Sequence, residues 1–212
     1  AHTELSSAHQ RAERADQSIR DMGQQLTAMT QRTREDLLTG VMNRRALETT
    51  FDHRAAEADK DAEPMCAALV DVDNFKGLND RLGDVAGDAA LRHLIGVVTE
   101  HLRPQDRIAR YSGEEFVLLL PDTDENAAVD LMTRLQRRLT KHFFMYKQER
   151  ALITFSCGIA LRATGESLRG VLARANQAMF RAKSTGKNRV VSAATLHPGA
   201  PSESPSGPEM AP

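Results

Sequence analysis

Arg107-Ile-Ala-Arg-Tyr-Ser-Gly-Glu-Glu-Phe-Val-Leu-Leu-Leu120 decides the fold. Two strand-forming runs flank the tight turn Ser112-Gly113-Glu114-Glu115, so the stretch reads as an antiparallel hairpin. Upstream, Met65-Cys-Ala-Ala-Leu-Val-Asp71 has the short continuous apolar run of a buried strand. It lies between helical spacings over 43–59 and 86–102, the second with Leu91, Leu94, Ile95, Val98 and Leu102 on one side. Downstream the pattern predicts a helix over 125–141 and a strand over 151–161. A helix over 167–184 ends near Gly186, as a C-cap glycine suggests, and Arg189-Val-Val-Ser192 is a last short strand. Helices and strands alternate, yet the hairpin makes part of the sheet antiparallel. The reading is an α/β sandwich with a mixed, partly antiparallel central sheet flanked by helices, not a doubly wound Rossmann sheet.

That domain occupies residues 36–193 of 212 and is flanked by two different pieces. Over 1–35, Leu5, Ala8, Ala12, Ala15, Ile19, Met22, Leu26, Met29 and Thr33 recur at alternating spacings of three and four. This is a coiled-coil heptad, and so narrow a seam implies a partner helix, expected as a parallel homodimer. The small residues at 8, 12 and 15 leave a loosely paired linker helix as the alternative. From Thr33 to Leu37 the alternation breaks, which locally changes the supercoil. Residues 194–212 carry Pro198, Pro201, Pro205, Pro208 and Pro212 among Ser, Gly and Glu, and are expected to be disordered.

Charge and composition exclude several classes. With 28 Lys and Arg against 29 Asp and Glu, the net charge is −1, which argues against a nucleic-acid binder that works by phosphate neutralisation. Seven Phe, two Tyr and no Trp leave few bases' worth of stacking surface. No run approaches the roughly 18 apolar residues of a membrane span, so no membrane contact is expected of this chain. It begins with Ala and carries no signal peptide, so it reads as a cytoplasmic fragment or processed chain lacking an upstream sensor. Cys66 and Cys157 lie in apolar strand-like runs, as a disulfide or, in a reducing compartment, as two core thiols.

The candidate chemistry is acidic. Val70-Asp71-Val72-Asp73 places two carboxylates on one side of a strand end, either simply solvated or suited to Mg²⁺ with bound phosphates. Glu114 and Glu115 put two like charges in a tight turn, which a cation or polar ligand would relieve. No Walker A loop is present, because Gly186-Lys187 is followed by Asn188 and lacks the upstream glycine; nor do Gly83 and Gly87 make GxGxxG. Lys183 and Lys187, one turn apart near a helix C-terminus, either complement the helix dipole or serve as cations for a triphosphate.

Five blocks together resemble the GGDEF domain, the catalytic domain of diguanylate cyclases. They are Asp36-Leu-Leu-Thr-Gly-Val-Met-Asn-Arg-Arg45, Asp71-Val-Asp-Asn-Phe-Lys-Gly-Leu-Asn-Asp80 with Gly83 through Asp88, and Arg110-Tyr-Ser-Gly-Glu-Glu-Phe116. Phe155-Ser-Cys-Gly-Ile-Ala160 and Ala178-Met-Phe-Arg-Ala-Lys-Ser-Thr-Gly-Lys-Asn188 complete the series in the family's order. The resemblance implies a nucleotidyl-cyclase and polymerase-palm-like fold that condenses two GTP into cyclic di-GMP and two pyrophosphates. It implies that Asp71, the backbone carbonyl of Val72 and Glu114 hold Mg²⁺, or Mn²⁺ in its place, with Glu114 also a candidate proton acceptor. Asn79 and Asp88 correspond to the guanine readers, and Leu91 to a residue packing on the base. Amides of Asn74, Phe75 and Lys76 would cradle phosphate, with Lys183 and Lys187 at the β- and γ-phosphates.

One domain binds one GTP, so the resemblance implies a reaction between two domains of a homodimer. Arg103-Pro-Gln-Asp106 fits the family's RxxD product-inhibition site for cyclic di-GMP, with Arg134 completing it from a partner domain; a polar loop is the plain alternative. Three positions depart from the family pattern: Ser112 stands for Gly, Asp84 for His and Lys187 for Arg. A side chain at 112 is expected to crowd the phosphates or strain the turn. No metal ligand is lost, so an active enzyme is expected; the alternative is a degenerate domain that binds GTP or cyclic di-GMP as a receptor.

Overall fold

The computed structural model describes residues 34–196; the heptad over 1–33 and the Pro-rich segment from 197 lie outside the described residues. The chain runs β1 (Met42–Asn43), α1 (Arg44–Asp61), β2 (Met65–Val72), α2 (Phe75–Leu82) and α3 (Asp84–Thr99). The hairpin β3 (Arg107–Ser112) and β4 (Glu115–Pro121) leads to α4 (Glu125–Lys141) and a small hairpin, β5 (Phe144–Tyr146) and β6 (Glu149–Ala151). β7 (Phe155–Leu161), α5 (Leu168–Ser184), β8 (Val190–Ser192) and a 3₁₀ turn (Ala193–Leu196) complete the described chain.

Six strands form one sheet in the order β1-β3-β4-β2-β7-β8. The central strand β2 is antiparallel to both β4 and β7, whereas β1–β3 and β7–β8 are parallel. The mixed sheet read from the hairpin is therefore present. Every residue of β2 is buried, since helices cover both faces, and this is why its sequence is one apolar run rather than an alternation. The period of two survives underneath. Cys66, Ala68, Val70 and Val72 enter the core shared with α3 and α4, while Met65, Ala67 and Leu69 enter the core shared with α1 and α5. By that alternation Asp71 and Asp73 emerge on the α5 side.

The helices begin where their caps dictate. Asn43, Asp124 and Ser167 accept from Ala46, Ala127 and Gly170 N–H at α1, α4 and α5, each satisfying an orphan donor. At Gly158 in β7 an added Cβ would lie 1.9 Å from Ala175 O, so only glycine lets α5 rest this closely on the sheet. That approach sets the C-terminal end of α5, with Lys183, over the end of β2.

Three elements differ from the sequence expectation. α2 is only eight residues long and buries none of them fully, so its stripe of Phe75, Leu78 and Leu82 is too short to show a period; α3 starts at Asp84 and stops at Thr99. The predicted strand over 151–161 is two elements, because Ala151 pairs with Phe144 in the small hairpin and β7 starts at Phe155. Glu35, assigned to the leading helix, instead makes an isolated bridge to Met42. The domain end assigned to 193 is followed by ordered residues to Leu196. Cys66 and Cys157 are free and buried, the core-thiol alternative. Burial pushes the Cys66 thiol up to about 12, with Glu125 and Asp124 adding to it, and burial alone drives Cys157 upward, so neither is a reactive thiolate.

Candidate active site

The site lies at the C-terminal end of β2, where four segments converge. Asp71 is 5% exposed and stands in register with Glu115 on β4 and Ser156 on β7. Val72 N–H donates to Glu114 O at 3.3 Å, stitching the β3–β4 turn to the strand that carries Asp71. From α5, Lys183 Nζ approaches Asp71 Oδ2 to 2.6 Å. Burial raises the Asp71 carboxyl, Glu115 and Asp73 add to it, and the Lys183 ammonium opposes it. Burial raises Glu114 too, reinforced by Asp71 and Glu115 and opposed by Lys183.

The fold thus gathers carboxylates that disfavour one another's charge, with a single ammonium between them. A divalent cation would relieve that repulsion, and the donor chemistry is hard oxygen. The Val72 side chain is buried in the core, so only its backbone is available. Among the described residues no three His, Cys, Asp or Glu side chains are grouped to hold a metal by themselves. Two carboxylates and a carbonyl suit Mg²⁺, which keeps waters and takes substrate phosphates as its remaining ligands.

The turn is held from behind. Arg110 donates through Nε and Nη2 to Gly113 O at 2.8 and 2.7 Å, and through Nη1 to Asp36 at 3.2 and 3.3 Å. Burial works against the Asp36 charge, but hydrogen bonds from Thr39 and the Arg110 guanidinium outweigh it and hold the carboxyl low. Ser112 does not strain the turn as its replacement of glycine suggested. It ends β3 without a positive φ, the left-handed position falling on Gly113, and its hydroxyl donates to the Glu115 carboxylate.

Lys187 reaches the same end of the sheet, its ammonium donating to Asn74 Oδ1. Asn74 is the N-cap of α2 with φ +56 and makes no side-chain cap bond; Phe75 packs partly into the core and Lys76 is exposed. A cleft of about 390 Å³ opens at this loop, lined by Asp73, Asn74, Phe75, Gly77, Arg81 and Thr154. Both lysines meet protein oxygens at this end of the sheet, and Lys183 also lies in the last turn of α5, where it complements the helix dipole.

Asn79 faces α3, where Oδ1 is buried without a hydrogen-bond partner. A Cβ at Gly87 would come within 1.8 Å of that oxygen, so the glycine makes the seat in which the amide lies. Asp88 is exposed one residue further on. Leu91, by contrast, is 1% exposed and belongs to the core, turned away from any open surface. The remaining site residues lie apart. Arg103 bonds Asp106 through N, Nε and Nη2 and reaches Pro121 O at 3.2 Å and Thr123 Oγ1 at 2.5 Å, so its fork is engaged within the loop. Arg134 is exposed on α4. Sequence reasoning missed the partners of Asp73: Thr154, Ser156 and the Asn188 backbone.

Residues 33–189 match the family described as "Diguanylate cyclase, GGDEF domain". Among curated proteins, the chain is 36% identical over 186 residues to the diguanylate cyclase DgcP of Pseudomonas aeruginosa, covering 88% of this chain and 28% of that protein. It is 32% identical over 163 residues to the diguanylate cyclase DgcZ of Escherichia coli, covering 76% of this chain and 54% of that one. The chain thus spans only part of the length of these relatives. Among solved structures, the coiled coil and GGDEF domain of DgcB from Caulobacter crescentus, in complex with c-di-GMP, superposes with a TM-score of 0.82 at 28% identity. That match covers 88% of this chain and 99% of the other. The strand-end carboxylates, the lysine-bearing helix and these matches agree: the chain belongs to the GGDEF-domain family of diguanylate cyclases.

Proposed function

We propose that this domain condenses two GTP molecules into cyclic di-GMP with release of two pyrophosphates. The observation that carries the reading is the cluster of Asp71, Glu114 and Lys183, two carboxylates of raised pKa and one ammonium at a strand end. Bound Mg²⁺, or Mn²⁺, would neutralise charge on the triphosphate and lower the pKa of the attacking 3′-hydroxyl. Asp71, Glu114 and the Val72 carbonyl would hold it. Lys183, released from Asp71, then pairs with phosphate oxygens together with Lys187, and the N–H groups of Asn74, Phe75 and Lys76 complete the cradle. The 3′-hydroxyl of one GTP attacks the α-phosphorus of the other: the 3′O–Pα bond forms, the bond from Pα to the bridging oxygen of the β-phosphate breaks, pyrophosphate leaves with that oxygen, and the hydroxyl proton passes to water. The second cycle closes the ring. GTP as substrate places the reaction in the cytoplasm.

Guanine is read by Asn79 and Asp88. A carboxylate accepts from N1–H and N2–H₂ together, and the unpartnered Asn79 oxygen is an acceptor waiting for a donor. Adenine offers neither N–H at those places. Leu91 is core here and takes no part. Calorimetry with non-hydrolysable analogues and Mg²⁺ tests this: the GTP analogue should bind at least about tenfold more tightly than the ATP analogue, and Asp88→Ala should erase the difference. Equal affinity in the parent would defeat the guanine assignment.

Each domain presents one such site, so catalysis needs two domains face to face, which the N-terminal heptad would supply by raising their effective concentration. Arg103 and Asp106, with Arg134 of a second domain, would bind cyclic di-GMP as a product-inhibition site.

A further inference from the structure

Asp73 is chemically the twin of Asp71, two residues along on the same side of the strand. Its carboxylate is nevertheless committed elsewhere. Oδ1 accepts from Ser156 Oγ at 2.6 Å, and Oδ2 accepts from Thr154 Oγ1 at 2.8 Å and from Asn188 N at 2.9 Å. Its own N–H donates to Thr154 O at 2.9 Å. One side chain thereby joins the end of β2, the entry to β7 and the turn between α5 and β8.

That turn needs holding. Lys187 and Asn188 have φ of +58 and +46, a region that non-glycine residues hold only where their surroundings fix them. Asp73 secures the Asn188 amide, and Gln136 on α4 secures its side chain at 2.9 Å. With Asn188 fixed, the adjacent Lys187 is set against Asn74 at the start of α2. Lys187 and Asn74, from two segments distant in sequence, are in this way brought to one place.

We propose that Asp73 is a positioning residue, a hydrogen-bond brace that assembles the triphosphate end of the site by fixing the Lys187–Asn188 turn against β2, and not a metal ligand. The proposal rests on reading that end of the site as phosphate-binding. Three donors occupy three of the carboxylate's four lone-pair directions and leave a single one on Oδ1, so the side chain is oriented by the brace rather than presented to a metal. It follows that the charge of Asp73 is dispensable and its hydrogen-bonding pattern is not. In Asp73→Asn the amide oxygen keeps Thr154 and Asn188, and the amide N–H₂ donates to a Ser156 hydroxyl that rotates to accept. In Asp73→Ala the Asn188 N–H and both hydroxyls lose their partner.

The test compares the parent, Asp73→Asn, Asp73→Ala and Asp71→Asn, with inorganic tripolyphosphate as the probe. Mn²⁺ binding in its presence is read by electron paramagnetic resonance, tripolyphosphate affinity by calorimetry, and exchange at the Asn188 amide by NMR. Asp71→Asn should lose the bound-Mn²⁺ signal, while Asp73→Asn keeps it and stays within about threefold of the parent in affinity. Asp73→Ala should keep the Mn²⁺ signal, bind tripolyphosphate about tenfold more weakly and exchange Asn188 at least about tenfold faster, the loss of roughly one hydrogen bond to a charged group. Loss of Mn²⁺ in Asp73→Asn matching that in Asp71→Asn would make Asp73 a ligand and overturn the proposal. So would unchanged affinity and exchange in Asp73→Ala. A parent that binds no tripolyphosphate overturns the phosphate assignment and the brace with it; one that binds tripolyphosphate but no GTP analogue overturns only the guanine reading.

Discussion

Burial first, and then the repulsion of neighbouring carboxylates that Lys183 only partly offsets, makes the charges of Asp71 and Glu114 a cost to the folded chain, and both carboxyls are raised for it. A carboxyl that titrates higher folded than unfolded keeps its proton in the native state while the unfolded chain has lost its own. Its contribution is therefore full below the ordinary carboxylate range and falls as pH rises through the raised value. Glu114→Gln should melt higher than the parent in metal-free buffer near neutral pH, and the advantage should vanish in acid below the ordinary glutamate range. Thermal melts across pH check this; a variant that melts lower at neutral pH contradicts the repulsion. These carboxylates were legible because acidic pairs at a strand end and in a tight turn are unusual on their own terms. The brace on Asp73 was not, since hydroxyls at 154 and 156 and a backbone amide at 188 carry no motif. Leu91 shows the converse, a position with a family role whose helical spacing already named it as core.

Length decided which elements were legible. β2 is buried on both faces and reads as a continuous apolar run of eight residues, whereas α2 has only about two turns and no fully buried residue, and the strands of the β5–β6 hairpin are three residues each. The loop before β3 shows how one motif serves two ends. The Asp106 side chain is 0% exposed and draws its partners from Arg103, which also grips Pro121 and Thr123 just ahead of the α4 cap. Arg103→Ala should therefore relieve inhibition by added cyclic di-GMP with the initial rate intact, and also destabilise the domain by roughly 1–3 kcal/mol, the cost of a buried carboxylate that loses its guanidinium donors and keeps the backbone N–H of residue 103. Denaturant melts and progress curves with added product measure the two effects. A variant destabilised but still inhibited would leave Arg103 as a loop anchor alone.

At the scale of the molecule, helices on both faces leave β2 rigid, and its end becomes a fixed platform to which turn, helix and loop bring their charges. No helix among the described residues is long and apolar enough to cross a membrane. Among the described residues Leu37 is 94% exposed. The central claim is tested most directly by incubating the chain with GTP and Mg²⁺ and separating the products by chromatography, beside Glu114→Gln and a deletion of residues 1–33. The account predicts cyclic di-GMP and pyrophosphate from the parent, none from Glu114→Gln, and at equal low concentration a much lower rate from the deletion. GTP bound but no cyclic di-GMP, at concentrations where the chain is dimeric, would contradict it and leave a nucleotide receptor on the same fold.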